Sequence, residues 1–141
     1  MHPIERALPL WAGPLAPGDA GLAAFAEVYT DPVTVNGSPT PLQVLVDRAR
    51  MLQGAFDHLG HELLAQVDEP GRCSFAFRLS GRHVGPLATP LGEVAPTGRE
   101  LEALAMDIFV LQGDGRVAEI WAVADYLGLL QGAAAVTLTA T

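Results

Sequence analysis

Apolar residues recur at two different spacings along this chain, and each spacing predicts a different kind of element. Between residues 41 and 56 they return every three or four positions, which is the period of one face of an α-helix. Between residues 72 and 83 they return at every second position, which is the period of a β-strand with one buried face. The chain is therefore predicted to combine helices with strands.

The other segments follow the same two periods and are separated by turns rich in glycine and proline. They are predicted as a helical turn at 3–11, a helix at 19–29, a short strand at 33–35, a strand at 61–68 that pairs with 72–83, a long loop at 85–98, two strands that meet at 113–115, and a last helix at 125–130. Because helices come first and antiparallel strands follow, the pattern predicts an α+β fold.

The stretch from Leu101 to Leu130 carries the most informative pattern. Side chains alternate between the two faces of a strand, so Trp121 and Val123 are predicted to share a face with Asp125. This arrangement would place an acid and an indole on one wall. We expect that wall to belong to an apolar pocket.

Length and hydropathy narrow the class of protein. The 141 residues suffice for one domain, predicted at 1–131 with a tail at 132–141. Charged and turn-forming residues interrupt every apolar run before about 18 residues, so no membrane span is predicted. The N-terminus lacks the basic start and unbroken apolar core of a secretory signal. We therefore expect a soluble, cytoplasmic protein.

Charge and cysteine content exclude further classes. The formal net charge is −8 at pH 7 and every positive residue is an arginine, so the chain has no basic patch for nucleic acid. The single cysteine, Cys73, rules out an internal disulfide and a cysteine-based metal cluster, and its neighbours Phe75 and Phe77 predict that it is buried. The expected partners are a small neutral molecule or another protein.

Five motifs occur in order across almost the whole chain: Asn36-Gly37, Gln53 to Asp57, Gly81 to Gly85, Pro96 to Arg99, and Gly113 to Leu130. In this order and spacing they resemble the SnoaL-like polyketide cyclase family. The resemblance implies a nuclear transport factor 2-like α+β cone, in which N-terminal helices pack on a curved antiparallel β-sheet that encloses an apolar pocket. It also implies an intramolecular aldol condensation on a small apolar or polycyclic metabolite, without cofactor or metal, and a homodimer formed through the sheet.

Within this resemblance, Asp125 occupies the acid position of a W-x-x-x-D pattern, where the family has its general acid/base. A carboxyl group half buried in an apolar cavity has a raised pKa and can both take and return a proton. Alternatively, Asp125 caps the last helix, and backbone N–H groups then lower its pKa. Ile120 stands where many members carry a histidine, so that position lacks a second polar group.

Two other residues are candidate catalytic groups. His83 shares a strand face with Phe77, and at a pocket mouth it would donate a hydrogen bond to an enolate oxygen; the alternative is a partly exposed strand-end histidine. Asp107 lies among apolar residues on its strand face, where an isolated charge is costly. It is predicted either to pair with Arg78 or Arg82 across the sheet or to act in catalysis.

The predicted substrate-binding residues are aromatic or polar side chains near the expected pocket: Trp121, Asn36, Tyr29, Phe77, Phe109 and Arg82. Trp121 would offer a flat surface and Asn36 an amide for a carbonyl group, although a core indole and an Asn-Gly turn are the alternatives. His58 and His61 lie near Asp57, but their spacing does not fit a helical pair of ligands, so no metal site is predicted.

Three functions follow from these candidates. The first is a cyclase or isomerase that uses acid/base catalysis on a bulky apolar carbonyl substrate. The second is an epoxide-hydrolase-type enzyme on the same fold, in which Asp107, Asp125 and an arginine activate water. The third is a non-catalytic small-molecule binding protein, which the isoleucine at position 120 favours.

Overall fold

The computed structural model of the protein describes residues 1–139. Its elements are α1 (Pro3–Ala12), α2 (Asp19–Ala26), β1 (Tyr29–Val35), β2 (Ser38–Thr40), α3 (Leu42–Ala55), β3 (Phe56–Glu69), β4 (Arg72–His83), β5 (Leu87–Thr89), β6 (Gly92–Val94), β7 (Glu100–Leu111), β8 (Val117–Ala124) and α4 (Tyr126–Gly132). None of the helices in this part of the chain is long and apolar enough to cross a membrane.

Six strands form one sheet in the order β2-β1-β8-β7-β4-β3, and β5 and β6 form a small separate hairpin. Only the β1–β8 pair is parallel. The β3–β4 register shifts between Asp57 and Gly60 and again between Leu63 and Ala65, and such bulges bend a strand and increase its twist. Helices packed on a curved, mostly antiparallel sheet confirm the predicted α+β cone.

The helices cover one face of this sheet, which we call the inner face. The main core cluster joins Ile4 of α1, Phe25 of α2 and Val46 of α3 to Phe75 of β4 and Ile120 of β8. A second cluster, at the other end of the inner face, contains Phe56, Leu87, Leu101 and Leu129 among its buried residues. The uncovered side is called the outer face.

Local sequence predicts most of these elements closely. Helix α3 occupies 42–55 against a predicted 41–56, and β4 occupies the predicted 72–83. Helix α2 ends earlier than predicted, because Tyr29 is the first residue of β1. Its ring stacks on Phe25 and meets Phe109 edge-on, with centroids 5.6 and 6.1 Å apart, so core packing holds it in the sheet.

The long loop predicted at 85–98 contains the β5–β6 hairpin, which the sequence pattern did not reveal. At the other end of the chain, α4 extends two residues beyond the predicted helix, to Gly132. Residues 135–139 of the predicted tail are neither helix nor strand, and the last two residues of that tail lie outside the described part.

Candidate functional site

Between the two core clusters, the side chains of the inner face are only half-buried. Phe77 of β4 pairs with Ala105 of β7, and Asp107 of β7 pairs with Ala122 of β8, so the four side chains share this face. Alanines at two of these positions add little bulk to this part of the face. We call the region formed by His61, Phe77, Ala105, Asp107 and Ala122 the inner cleft.

Asp107 is the acidic residue of the inner cleft. Its carboxylate makes no hydrogen bond or ion pair with residues 1–139, and neither oxygen is sealed from solvent. Burial raises the pKa of Asp107 from 3.8 to about 7, because a carboxylate loses solvation in apolar surroundings. Both protonation states are therefore populated near neutral pH, which is the condition for a group that takes and returns a proton.

Tyr29 lies near Asp107 but is part of the core. Its hydroxyl accepts a hydrogen bond from Trp11 Nε1 at 2.9 Å, and the residue is 1% exposed. Burial, and to a smaller extent the charge of Asp107, raise the pKa of Tyr29 well above its usual value of 10.0. Tyr29 therefore shapes the wall near Asp107, and its burial keeps the hydroxyl from direct contact with a ligand.

His61 is a second polar group of the inner cleft. Its ring lies 5.7 Å from the ring of Phe77, at an interplanar angle of 36°. Nδ1 is buried without a hydrogen-bond partner among the described residues, whereas Nε2 is not sealed from solvent. Burial lowers the pKa of His61 below 6.5, which favours the neutral imidazole.

Asp125 takes the helix-capping alternative. Its Oδ1 accepts a hydrogen bond from the backbone N–H of Gly128 at 2.8 Å, so it is the N-cap of α4. The residue is exposed, and a Cβ at position 128 would stand 2.5 Å from Oδ2, which explains the glycine there. The side chain is thus held by backbone outside the inner cleft.

His83 does not lie at a pocket mouth. The residue is 0% exposed, and its Nδ1 lies 3.0 Å from Thr97 Oγ1 and accepts the Thr97 N–H at 3.2 Å. Its backbone also pairs with Arg99 and Gly98. These contacts tie the loop that follows His83 back onto the sheet, and His83 Nε2 is buried without a hydrogen-bond partner among the described residues.

Trp121 faces outward, contrary to the expected pocket wall. The residue is 46% exposed, and its Nε1 donates to Glu119 on the same strand at 2.8 Å. The predicted strand alternation is correct, but Ile120 points to the core and Trp121 to the outer face. The physical reason is that the helices cover the face that carries Ile120, and alternation along a strand does not specify which face is covered.

Two other predicted binding residues also lie outside the inner cleft. The Asn36 side chain bonds to both the N–H and the C=O of Ala122, at 2.8 and 3.1 Å, and so continues the β1–β8 ladder past the end of β1. Arg82 is exposed and pairs in register with Asp57 and Glu100, on the outer face. Of the predicted residues, the inner face brings together Asp107, Tyr29, Phe77 and Phe109.

The expected ion pair of Asp107 with an arginine does not form. Arg78 lies on the outer face, where its guanidinium contacts Glu62 and Glu102 at 3.1 and 3.8 Å. The two acids and one arginine needed for water activation on an epoxide therefore do not converge, since Arg78 and Arg82 are across the sheet from Asp107 and Asp125 caps α4.

One group of potential metal ligands occurs in the described part of the chain: His2, Asp68 and Cys73, whose ligand atoms lie within 4.8 Å of one another. Hydrogen bonds already occupy it, because His2 Nδ1 accepts the Ile4 N–H and Nε2 lies 2.9 Å from Asp68. Burial raises the pKa of the Cys73 thiol to about 11, which disfavours the thiolate that a metal needs. The cluster fits a hydrogen-bonded structural role.

A concavity with a volume of about 540 Å³ lies on the outer face. Its projecting apolar side chains are Val67, Met106, Ile108, Trp121 and Val123, and they are between 43% and 70% exposed. We call these five residues the outer patch. A contiguous exposed apolar surface of this kind marks an interaction site more often than a catalytic one.

Sequence reasoning did not place two residues of the site. His61 belongs to no motif that marks it as a site residue, although the alternation of the strand at 61–68 puts it on the same face as Leu63. Trp11, which holds the Tyr29 hydroxyl, carries no sequence signal for that contact because the partners are far apart along the chain and meet only in the folded core.

A curved, mostly antiparallel sheet with helices on its inner face places the protein in the nuclear transport factor 2-like class of α+β folds. The model of the SnoaL-like polyketide cyclase family matches residues 18–132, and the chain belongs to this family. No curated protein matches the chain in sequence.

Solved structures show the same fold at low sequence identity. TsrD from Streptomyces laurentii has 21% identity and a TM-score of 0.78, covering 95% of this chain and 93% of its own. IdmH from Streptomyces antibioticus has 17% identity and a TM-score of 0.70, with 92% and 94% covered. A SnoaL-like polyketide cyclase candidate from Jannaschia has 21% identity and a TM-score of 0.67, with 84% and 82% covered.

Proposed function

We propose that this protein is a cofactor-independent cyclase or isomerase for a bulky apolar carbonyl compound, with Asp107 as its acid/base. The single observation that carries the proposal is the Asp107 carboxyl group, which lies unpartnered in the apolar inner cleft with a pKa of about 7. Asp125 is the less suitable acid, because its carboxylate is already engaged as the α4 cap.

The proposed chemistry needs one group that moves one proton twice. The Asp107 carboxylate removes a proton from a carbon next to a carbonyl group, which leaves an enolate and a protonated Asp107. That carbon then attacks a second carbonyl of the same molecule, a C–C bond forms, and the new alkoxide takes the proton back from Asp107. Atoms and charges balance, and the carboxylate is regenerated for the next cycle.

Proton abstraction can be tested without the natural substrate. 2-Tetralone, an apolar bicyclic ketone, exchanges its acidic C1 protons for deuterium in D₂O, and proton NMR follows the loss. We expect the protein to accelerate this exchange, with a rate that rises with pH through about 7 as Asp107 ionises. Asp107→Asn should reduce the acceleration by roughly 100-fold or more, since general base catalysis typically contributes that much.

Asp125→Asn is the matched control for this experiment, because it changes the same atoms at the α4 cap. It should leave the exchange rate unchanged. If Asp125→Asn abolished the exchange while Asp107→Asn retained it, the assignment of Asp107 would be wrong and the acid of the W-x-x-x-D pattern would be the base.

A non-catalytic binding protein is the second candidate. It is favoured by the small number of polar groups in the inner cleft, where Ile120 is buried in the core and contributes no hydrogen bond. Tight binding of a tricyclic ketone such as 9-fluorenone, together with no accelerated exchange of 2-tetralone at any pH between 6 and 8, would favour binding over catalysis.

We also propose that two copies of the chain pair through the outer patch. The patch places Trp121, Ile108 and Met106 side by side on β8 and β7, and burying exposed apolar surface against a second copy removes it from water.

Sedimentation should give about twice the chain mass of 14.8 kDa. Trp121→Glu should give the single-chain mass, whereas Leu91→Glu, at a 75% exposed position on the β5–β6 hairpin, should not. A dimeric Trp121→Glu variant would contradict the interface.

A further inference from the structure

His61 is the one other polar side chain of the inner cleft, and neither the family's acid position nor the proposed proton transfer uses it. It has no hydrogen bond among residues 1–139, although its Nδ1 is fully buried. Its other nitrogen, Nε2, is not sealed from solvent and has no hydrogen bond among the described residues, so it is available to a ligand.

The geometry points to His61 as a specificity-determining residue, whose Nε2 forms a hydrogen bond with a neutral oxygen at the end of the substrate remote from Asp107. This inference rests on the proposed function, since it assigns the second contact of the same ligand. The oxygen is a hydroxyl or carbonyl group of an aromatic or polycyclic molecule.

The strand register sets the distance between the two groups. His61 pairs with Leu79, which pairs with Ala103, four residues before Asp107 on β7. At ~3.3 Å per residue along a strand and ~4.8 Å between strands, the two Cα atoms are about 16 Å apart. Both side chains project from the same inner face, so a ligand that contacts both must be an extended molecule of several fused rings.

The surface between the two groups suits a flat apolar ligand. Aromatic rings follow one another along the inner face from His61 through Phe77 and Phe75 to Phe109, with successive centroids 5.7, 5.7 and 4.9 Å apart. Phe75 and Phe109 are buried in the core, so Phe77 is the phenylalanine of this row that a ligand can contact. Phe77 is half-buried, and the small side chain of Ala105 lies beside it on β7. Aromatic ligands gain from offset or edge contacts with such rings in addition to the burial of area.

The charged residues of the inner face favour a neutral ligand oxygen at His61 over an anionic one. The inner-facing residues of β4 and β7 include no arginine, since Arg72, Arg78 and Arg82 alternate with them and point to the outer face. The acid on this face is Asp107, and it would repel an anion. A neutral imidazole can serve as donor or acceptor, so it fits a hydroxyl or a carbonyl equally well.

A matched pair of probes tests this inference: 9-fluorenone and 2-hydroxy-9-fluorenone, which share a tricyclic ketone and differ by one hydroxyl group. The wild-type protein should bind the hydroxylated probe roughly 3- to 10-fold more tightly, as one added hydrogen bond allows. His61→Phe keeps a ring against Phe77 and should abolish this preference. His61→Gln retains an amide near the position of Nε2 and should keep part of the preference.

Histidine NMR provides a reading on the folded wild-type protein itself. The chain has four histidines, and with ¹⁵N-labelled histidine the Nε2 signal of His61 should shift more with 2-hydroxy-9-fluorenone than with 9-fluorenone. The signal of His58, an exposed residue on the same strand, should not respond. His58→Asn, which keeps a residue tolerant of the positive φ at that position, is the matched variant and should preserve the preference for the hydroxylated probe.

The outcomes separate this inference from the proposed function. If wild-type protein does not distinguish the probes, or if His61→Phe keeps the preference, the role of His61 is wrong even when 2-tetralone exchange depends on Asp107. If the exchange does not depend on Asp107 but the preference disappears in His61→Phe, the ligand contact holds and the acid/base assignment fails.

Discussion

Replacing Asp107 with asparagine should stabilise the protein, and by an amount that depends on pH. Burial gives this carboxyl group a pKa of about 7 in the folded protein, against 3.8 as its ordinary value. The folded protein therefore binds the proton more tightly than the unfolded chain does, and stability falls as pH rises from about 4 to about 7. Asparagine has nearly the same shape and no charge to desolvate, so it removes this penalty.

The size of the effect follows from the two pKa values. Each tenfold difference in proton affinity is worth roughly 1.4 kcal/mol, so the distance from 3.8 to about 7 corresponds to about 4 kcal/mol above pH 7. The same relation gives about 3 kcal/mol at pH 6 and about 1 kcal/mol at pH 4.5. These are upper values, because solvent reaches the carboxylate oxygens through the cleft.

Urea unfolding of Asp107→Asn and wild type in parallel at pH 4.5, 6 and 7.5 measures the difference in the free energy of unfolding. The gain should grow with pH and level off above 7, while 2-tetralone exchange is lost. A gain that is equal at all three pH values, or a loss that grows with pH, would refute the account of Asp107 as a desolvated, unpartnered acid.

Asp114→Asn is the control of opposite sign. The backbone N–H of Arg116, then the side chains of Gln112 and Arg116, lower the pKa of Asp114 from 3.8 to about 2. Its ionised form therefore favours folding, so the substitution should reduce stability at pH 7.5, and that loss should fade as pH falls toward 2.

Three other substitutions or modifications test the local structure. Asp125→Ala should lower the free energy of unfolding by about 1 kcal/mol in urea, whereas Asp125→Ser retains a capping oxygen and should cost less; equal values would contradict the cap. Thr97→Val removes the hydroxyl that meets His83 and should cost about 1 kcal/mol and speed proteolysis in residues 84–98; an unchanged cleavage rate would argue against the tether. Cys73, with a thiol pKa of about 11 against 9.0 and 3% exposure, should react with iodoacetamide at pH 8 only on unfolding, and rapid labelling of the native protein would contradict its burial.

Elements governed by contacts between near neighbours were predicted well. The 3.6-residue period of α3 and the two-residue period of β4 depend on which side chains a single helix or strand turns to the same side, so both were located within one residue. The cap formed by Asp125 is likewise local, because its carboxylate binds the N–H only three residues further on.

Elements governed by contacts between residues far apart in the sequence were not predicted. Tyr29 carries a helical spacing, yet stacking on Phe25, contact with Phe109 and the bond from Trp11 place it in β1. The β5–β6 hairpin formed within a segment read as loop, since Leu87 is buried against α3 and α4 residues that are remote in sequence. Packing energy outweighs the weak local preference in both cases.

The sequence by itself determined the family, the α+β class, the periods of the main elements and the presence of an acid among apolar residues of β7. It also determined that Trp121 and Ile120 lie on opposite faces of β8. Only the tertiary structure decided which of those faces the helices cover. Alternation along a strand specifies only which residues share a face. Which of the two faces is buried depends on the pairing of distant strands and on the packing of α1, α2 and α3. That choice turned Trp121 to the surface, left Asp107 in the cleft, and made Asp107 the acid to test.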